Sequence, residues 1–218
     1  MYRIDLGTSS PKTKGQMSTR KIRGFSLIEL MIVITVIMIA SGIGFMTLQP
    51  ALKAGRVTSA YNFALGALRQ AREDAVGTRR VYMVTFSSVV TPNTITITQS
   101  DTGVVKATYK LPTDVTFSVQ AGYPVSQTTA PTTPDGFGIG ATAIDLDQGV
   151  AGGLKTAIYF YPDGSAQDVN SNINNGVLYV GRPGDLYSSR AITIWGATGR
   201  LRGWRLYKNG AANYWRQM

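Results

Sequence analysis

Residues 23–48 read Arg23-Gly24-Phe25-Ser26-Leu27-Ile28-Glu29-Leu30-Met31-Ile32-Val33-Ile34-Thr35-Val36-Ile37-Met38-Ile39-Ala40-Ser41-Gly42-Ile43-Gly44-Phe45-Met46-Thr47-Leu48. From Leu30 to Leu48 there is no charged residue. A helix over that run, at ~1.5 Å per residue, is roughly 28 Å long, the thickness of a bilayer's hydrocarbon core. Glu29 stands at the start of the run, and an acid in an apolar setting is costly enough to imply a task. On the N-terminal side, residues 1–24 hold six Lys/Arg against Asp5. Basic flanks stay in the cytoplasm, so the bulk of the chain is expected on the far side of the membrane.

The chain has 218 residues and a net charge of +10, enough for one anchor and one domain of ordinary size. It contains no cysteine, so no disulfide or thiolate chemistry is available. It contains no histidine either, which removes the commonest general base and metal ligand. An ordinary secretory signal is the competing reading of the N-terminus, with Ala40-Ser41-Gly42 as a small-residue cleavage site. Against it, the apolar run continues past that point, and a signal core gains nothing from Glu29.

The segment Arg23 to Ile34 resembles the class III signal of type IV prepilins and type II secretion pseudopilins. That resemblance implies cleavage between Gly24 and Phe25 by a membrane-embedded prepilin peptidase, then N-methylation of Phe25. It also implies an assembly role for Glu29, whose carboxylate would meet the methylated amine of a neighbouring subunit. The implied leader of 24 residues is long. A start at Met17 would give the eight-residue leader Met-Ser-Thr-Arg-Lys-Ile-Arg-Gly, nearer the family's habit. As a hypothesis Met17 is the true start, and a translation product mapped to residues 1–16 would refute it.

Downstream, Val57, Tyr61, Ala64, Leu68, Ala71 and Ala75 step by four and three, one apolar stripe of an amphipathic helix. One long helix is expected from about Ser26 to Val76, ended by Gly77, with a kink or local melting around Gly42, Gly44 and Pro50. From Val81 the period becomes two. Strands are expected at Val81–Phe86, Thr94–Thr98, Val104–Leu111, Val115–Val119, Thr156–Tyr161, Gly176–Val180, Ala191–Trp195 and Leu201–Tyr207. Residues 120–153, rich in Gly, Thr, Pro and Ala, read as a partly mobile insertion. The fold class is α+β: a long N-terminal helix packed on an antiparallel sheet domain, the pilin-like shape. The expected divisions are a leader at 1–24, a membrane and filament-core helix at 25–50, its amphipathic continuation at 51–80, and a β-rich periplasmic domain at 81–218.

Three later stretches are similar to the GspH/FimT group of minor pilins and pseudopilins. They are Leu68-Arg69-Gln70-Ala71-Arg72-Glu73-Asp74-Ala75, Ile158-Tyr159-Phe160-Tyr161-Pro162-Asp163-Gly164-Ser165-Ala166 and Thr198-Gly199-Arg200-Leu201-Arg202. The resemblance implies a subunit present in few copies that helps prime a type IV pilus or a type II secretion pseudopilus. Its implied partners are the prepilin peptidase, other major and minor pilins and the bacterial inner membrane, with no small-molecule substrate and no cofactor.

Residues 182–218 carry seven Lys/Arg against Asp185, interleaved with aromatics. Arg200, Arg202, Arg205, Lys208 and Trp204 are the candidate DNA-binding set, because guanidinium groups neutralise phosphates and rings stack on bases. The Gly-Arg-x-Arg element also resembles one that some FimT-type pilins are thought to use in capturing DNA. The alternative is a final hairpin of solvated arginines and core aromatics, with Arg200, Arg202 and Trp204 on one face. Asp145-Leu146-Asp147-Gln148-Gly149 falls short of a calcium loop and reads as a solvated turn. No nucleophile-and-base pair stands at motif spacing, so neither a catalytic nor a metal site is expected.

Overall fold

The computed structural model describes residues 24–148 and 156–218. Residues 1–23 of the leader with the Met17 start, and Gly149 with the last part of the expected insertion, lie outside the described residues. The chain divides into two compact units, one ending at Thr47 and the other beginning at Leu48. The boundary falls within helix α1, Leu27–Thr78. The helical assignment runs through Pro50, so the expected melting is not seen. It also passes Gly77 to end at Thr78.

In the second unit the predicted stripe is the buried face of α1. Val57, Tyr61, Ala64, Leu68, Ala71 and Ala75 are all buried, and Ala60 and Ala67 join them. Five alanines on one face let the helix backbone approach the strands closely, while Arg56, Arg69 and Glu73 stay exposed on the other side.

The strands form two antiparallel sheets, where the sequence suggested one. The first contains β1 (Tyr82–Ser87), β2 (Thr94–Gln99), β3 (Val105–Lys110), β6 (Ala157–Phe160) and β7 (Ala166–Gln167) in the order β3-β2-β1-β6-β7. The second contains β4 (Thr116–Phe117), β8 (Asn175–Arg182), β9 (Asp185–Trp195), β10 (Arg200–Asn209) and β11 (Ala212–Gln217) in the order β11-β10-β9-β8-β4. The strand β5 (Ile144–Gln148) also pairs with β8. All eight predicted strands are present with shifted ends. The strands β5, β7 and β11 were not anticipated individually.

Alternation along β8 shows how the second sheet is covered. Leu178 and Val180 join the helix stripe, Phe86, Ile97 and Phe160 in the main core. Val177 and Tyr179 point to the opposite face and pack with Tyr123, Ala191, Leu206 and Trp215. Tyr123 comes from the stretch expected to be partly mobile, and so do β5 and a 3-10 turn at Pro134–Gly136. Residues 120–148 thus contribute to a second core, which is why β8 is buried on both faces. The result is the α+β architecture expected of the sequence, a helix packed on antiparallel sheets, with two sheets in place of one.

Candidate functional site

Gly24, Phe25 and Ser26 precede α1 without regular secondary structure, and the Phe25 side chain is 80% exposed. The first backbone bond at the helix start runs from Leu30 N–H to the Ser26 carbonyl at 3.1 Å. Glu29 therefore occupies the first turn, where unpaired backbone N–H groups favour a carboxylate. Along the helix beyond it Leu30, Met31, Ile34, Ile37 and Phe45 are all exposed. One carboxylate at the head of a helix that shows apolar side chains all round suits lateral burial, with a single charge left to pair.

The second unit brings the three later landmark stretches to one point. Arg72 of α1 donates from Nε to the Gly164 carbonyl at 3.2 Å and from Nη2 to the Thr198 carbonyl at 3.1 Å. Gly164 and Gly199 both have positive φ, +81° and +59°. A Cβ on Gly199 would overlap the Gly164 carbonyl oxygen, so only glycine fits. Asp163 closes its turn by accepting bonds from Ser165 N at 2.9 Å and Ser165 Oγ at 2.7 Å. This arrangement clasps helix to hairpin.

The C-terminal basic residues are divided between two faces of β10. Arg200, Arg202, Trp204, Leu206 and Lys208 alternate onto one side and Leu201, Gly203, Arg205 and Tyr207 onto the other. Arg202 is engaged. Its Nη1 lies 2.6 Å from Oδ1 of Asp135, whose side chain is 5% exposed, and its guanidinium sits 5.3 Å from the Trp195 ring centroid. Asp135 Oδ2 also accepts from Thr193 Oγ1 at 2.5 Å and from Trp195 Nε1 at 3.1 Å. Trp204 is half-buried and donates Nε1–H to Thr193 Oγ1 at 3.1 Å. Arg200, Arg205 and Lys208 are exposed.

Asp135 was not singled out in the sequence. Thr133-Pro134-Asp135-Gly136 reads only as a turn, and its partners lie 58 to 67 residues further on. It adopts φ +53°, which a short polar side chain tolerates better than most. On the opposite face, Gly203 leaves room for Tyr61, whose hydroxyl a Cβ there would overlap. Burial, the dominant effect, raises the Tyr61 pKa above the ordinary tyrosine value.

Asp145 and Leu146, the part of the Asp145–Gly149 stretch whose burial is described, are not a solvated turn. Both are buried in β5, which pairs with β8, and Leu146 packs in the main core with Leu178 and Val180. Among the described residues no group of three metal-ligating side chains comes together.

Residues 19–45 match the family model of the prokaryotic N-terminal methylation motif. Among solved structures, the chain is similar to the type IV minor pilin FimU of Pseudomonas aeruginosa. That similarity has 12% identity and a TM-score of 0.39, covering 71% of this chain and 90% of that one. No curated protein matches the chain.

Proposed function

We propose that the chain is a minor pilin or pseudopilin, a structural and assembly-priming subunit of a type IV pilus or type II secretion pseudopilus, of GspH/FimT type. The matched methylation motif supports membership of the type IV pilin and pseudopilin superfamily. The observation that carries the proposal is Glu29: it is the only charged residue between Phe25 and Leu52, and it stands in the first turn of a helix whose apolar side chains from Leu27 to Leu48 are exposed.

In this reading the prepilin peptidase cuts the Gly24–Phe25 bond and frees the amine of Phe25, which is then methylated. The precursor sits in the inner membrane as a single pass, with its N-terminus cytoplasmic and residues 51–218 periplasmic. The apolar segment 25–50 moves from lipid into a filament core without meeting water, so little hydrophobic free energy opposes transfer. A lone carboxylate among apolar helices is costly unless paired. The amine of a neighbouring subunit's first residue would neutralise it and set axial register. The protein acts by packing, not by turnover. Replacing Glu29 with alanine should leave cleavage intact and stop incorporation; normal incorporation would remove the proposal.

The second reading is DNA capture by Arg200, Arg202, Arg205, Lys208 and Trp204. Its support is the exposure of Arg200, Arg205 and Lys208. The engagement of Arg202 by Asp135 and the split of the set over two faces favour the structural role. Salt-sensitive DNA binding lost on Arg200→Gln with Arg202→Gln would reverse that preference.

A further inference from the structure

The register of the second sheet sets three arginines side by side. Arg205 on β10 pairs directly with Arg190 on β9 and with Arg216 on β11. Cross-strand partners share a face and stand about 5 Å apart, so the row extends roughly 10 Å. Like charges directly opposite one another destabilise a sheet, and this row contains two such pairs.

Counter-charge is scarce around it. Among the described residues none of the three arginines lies within ion-pair distance of a carboxylate. Arg190 is only 7% exposed, and its Nη1 donates to the carbonyls of Ser188 at 2.9 Å and Ser189 at 3.3 Å. Burial first, and then the charge of Arg205, lower its pKa, while Asp185 is the carboxylate that acts the other way. Arg190 and Arg205 share a recess of about 230 Å³ with Asp185, Ala54 and Val57. Beside the row on the same face, Tyr207 pairs with Tyr214, and both are exposed.

We infer that the row Arg190–Arg205–Arg216 is a binding site for a phosphate-type anion, supplied as free phosphate or as the headgroup of an anionic lipid. A guanidinium offers a planar fork of donors that matches phosphate oxygens, and one tetrahedral anion can bridge two forks 5 Å apart. The anion turns a repulsive row into an alternating one. Arg190 lines the recess with little exposure to water, so an anion with several acceptors entering there can supply the compensation that water does not. Tyrosine hydroxyls at the edge add donors and, in the lipid case, the amphipathic rings of an interfacial belt. Lipid is a natural source because Ala54 follows the uncharged segment ending at Leu48 by only a few residues. The site does not depend on the filament role.

The test uses the full chain in nanodiscs of phosphatidylcholine, titrated with inorganic phosphate against chloride at equal ionic strength. Thermal unfolding of the folded unit should rise saturably with phosphate and not with chloride. Arg205→Gln with Arg216→Gln should weaken the apparent phosphate affinity about tenfold or more, close to the loss of one charge-assisted contact. Lys106→Gln, at an exposed position on another strand, should respond as wild type. Should the double variant fold poorly, Arg216→Gln alone must still lower the affinity. Replacing the lipid with phosphatidylglycerol separates the sources. Loss of the phosphate response there identifies the headgroup, and its persistence identifies free phosphate. Equal responses from wild type and variants would overturn the site. So would an oligonucleotide that saturates it at far lower phosphate concentration, which would make it a nucleic-acid surface.

Discussion

Arg72 reaches from the helix to the Gly164 carbonyl, with Nε 3.2 Å from the oxygen, and the same guanidinium holds the Thr198 carbonyl through Nη2. One side chain thereby ties together turns that lie 92 and 126 residues away in sequence. Because the bonds are charge-assisted and satisfy two backbone acceptors, the part-buried one to Gly164 contributes about 1.5–3 kcal/mol and the exposed one to Thr198 about 0.5–1 kcal/mol. Arg72→Met should therefore destabilise the folded unit by roughly 2–4 kcal/mol. Arg69→Met, one turn earlier and exposed, should stay within about 0.5 kcal/mol of wild type. Urea unfolding of the two variants checks this, and equal losses would show that the clasp adds nothing.

Gly203 and Tyr61 form a fitted pair across helix and sheet. Gly203→Ala places a methyl group against the Tyr61 hydroxyl and should cost roughly 1–3 kcal/mol by overpacking. Tyr61→Phe in the same chain removes the atom met first and should recover part of that loss. A double-mutant cycle with no coupling between the two would contradict the contact.

The carboxylate of Asp135 takes three donors, from Arg202, Thr193 and Trp195. Asp135→Asn keeps the shape and the tolerance of positive φ but removes the charge beside a partly buried guanidinium. The expected cost is roughly 2 kcal/mol or more. Amide hydrogen exchange should speed up between residues 134 and 148 while β1 and β2 remain protected. Uniform loss of protection across the unit would mean that residues 120–148 are not a separately tethered segment.

How far these contacts could be read in the sequence depends on their range. The stripe from Val57 to Ala75 was legible because helical spacing alone decides which side chains share a face. Most strands were legible from period-two alternation. The strand β7 is too short to show a period, and β5 carries Asp145, a buried polar group, where alternation would call for an outward residue. Asp135 was hidden because nothing local distinguishes a turn aspartate from one that meets an arginine on a distant strand. The Arg72 clasp lay between: its three landmark stretches stood out as motifs, but only the fold shows that they touch.

Acid should weaken the turn at Asp168. Burial opposes its charged form, yet bonds from Asn172 N, Asn170 N and Asn172 Nδ2 outweigh that and hold its carboxyl below the ordinary range. A depressed carboxyl contributes stability that is complete above the unfolded value near 4 and disappears as pH falls through the folded value. The urea midpoint of wild type should thus drop more steeply below about pH 4 than that of Asp168→Asn. Parallel pH profiles for the two proteins would contradict the assignment.

The assembly role of Glu29 is tested most directly by isolating filaments from cells that carry Glu29→Ala as the only copy. Mass spectrometry of the mutant chain in the membrane fraction should show the same mature N-terminus at Phe25 as wild type. The filament fraction of wild-type cells should contain the chain, and the filament fraction of the mutant cells should contain none of it. Glu29→Ala recovered in filaments at the wild-type level would contradict the pairing of this carboxylate with a neighbour's amine.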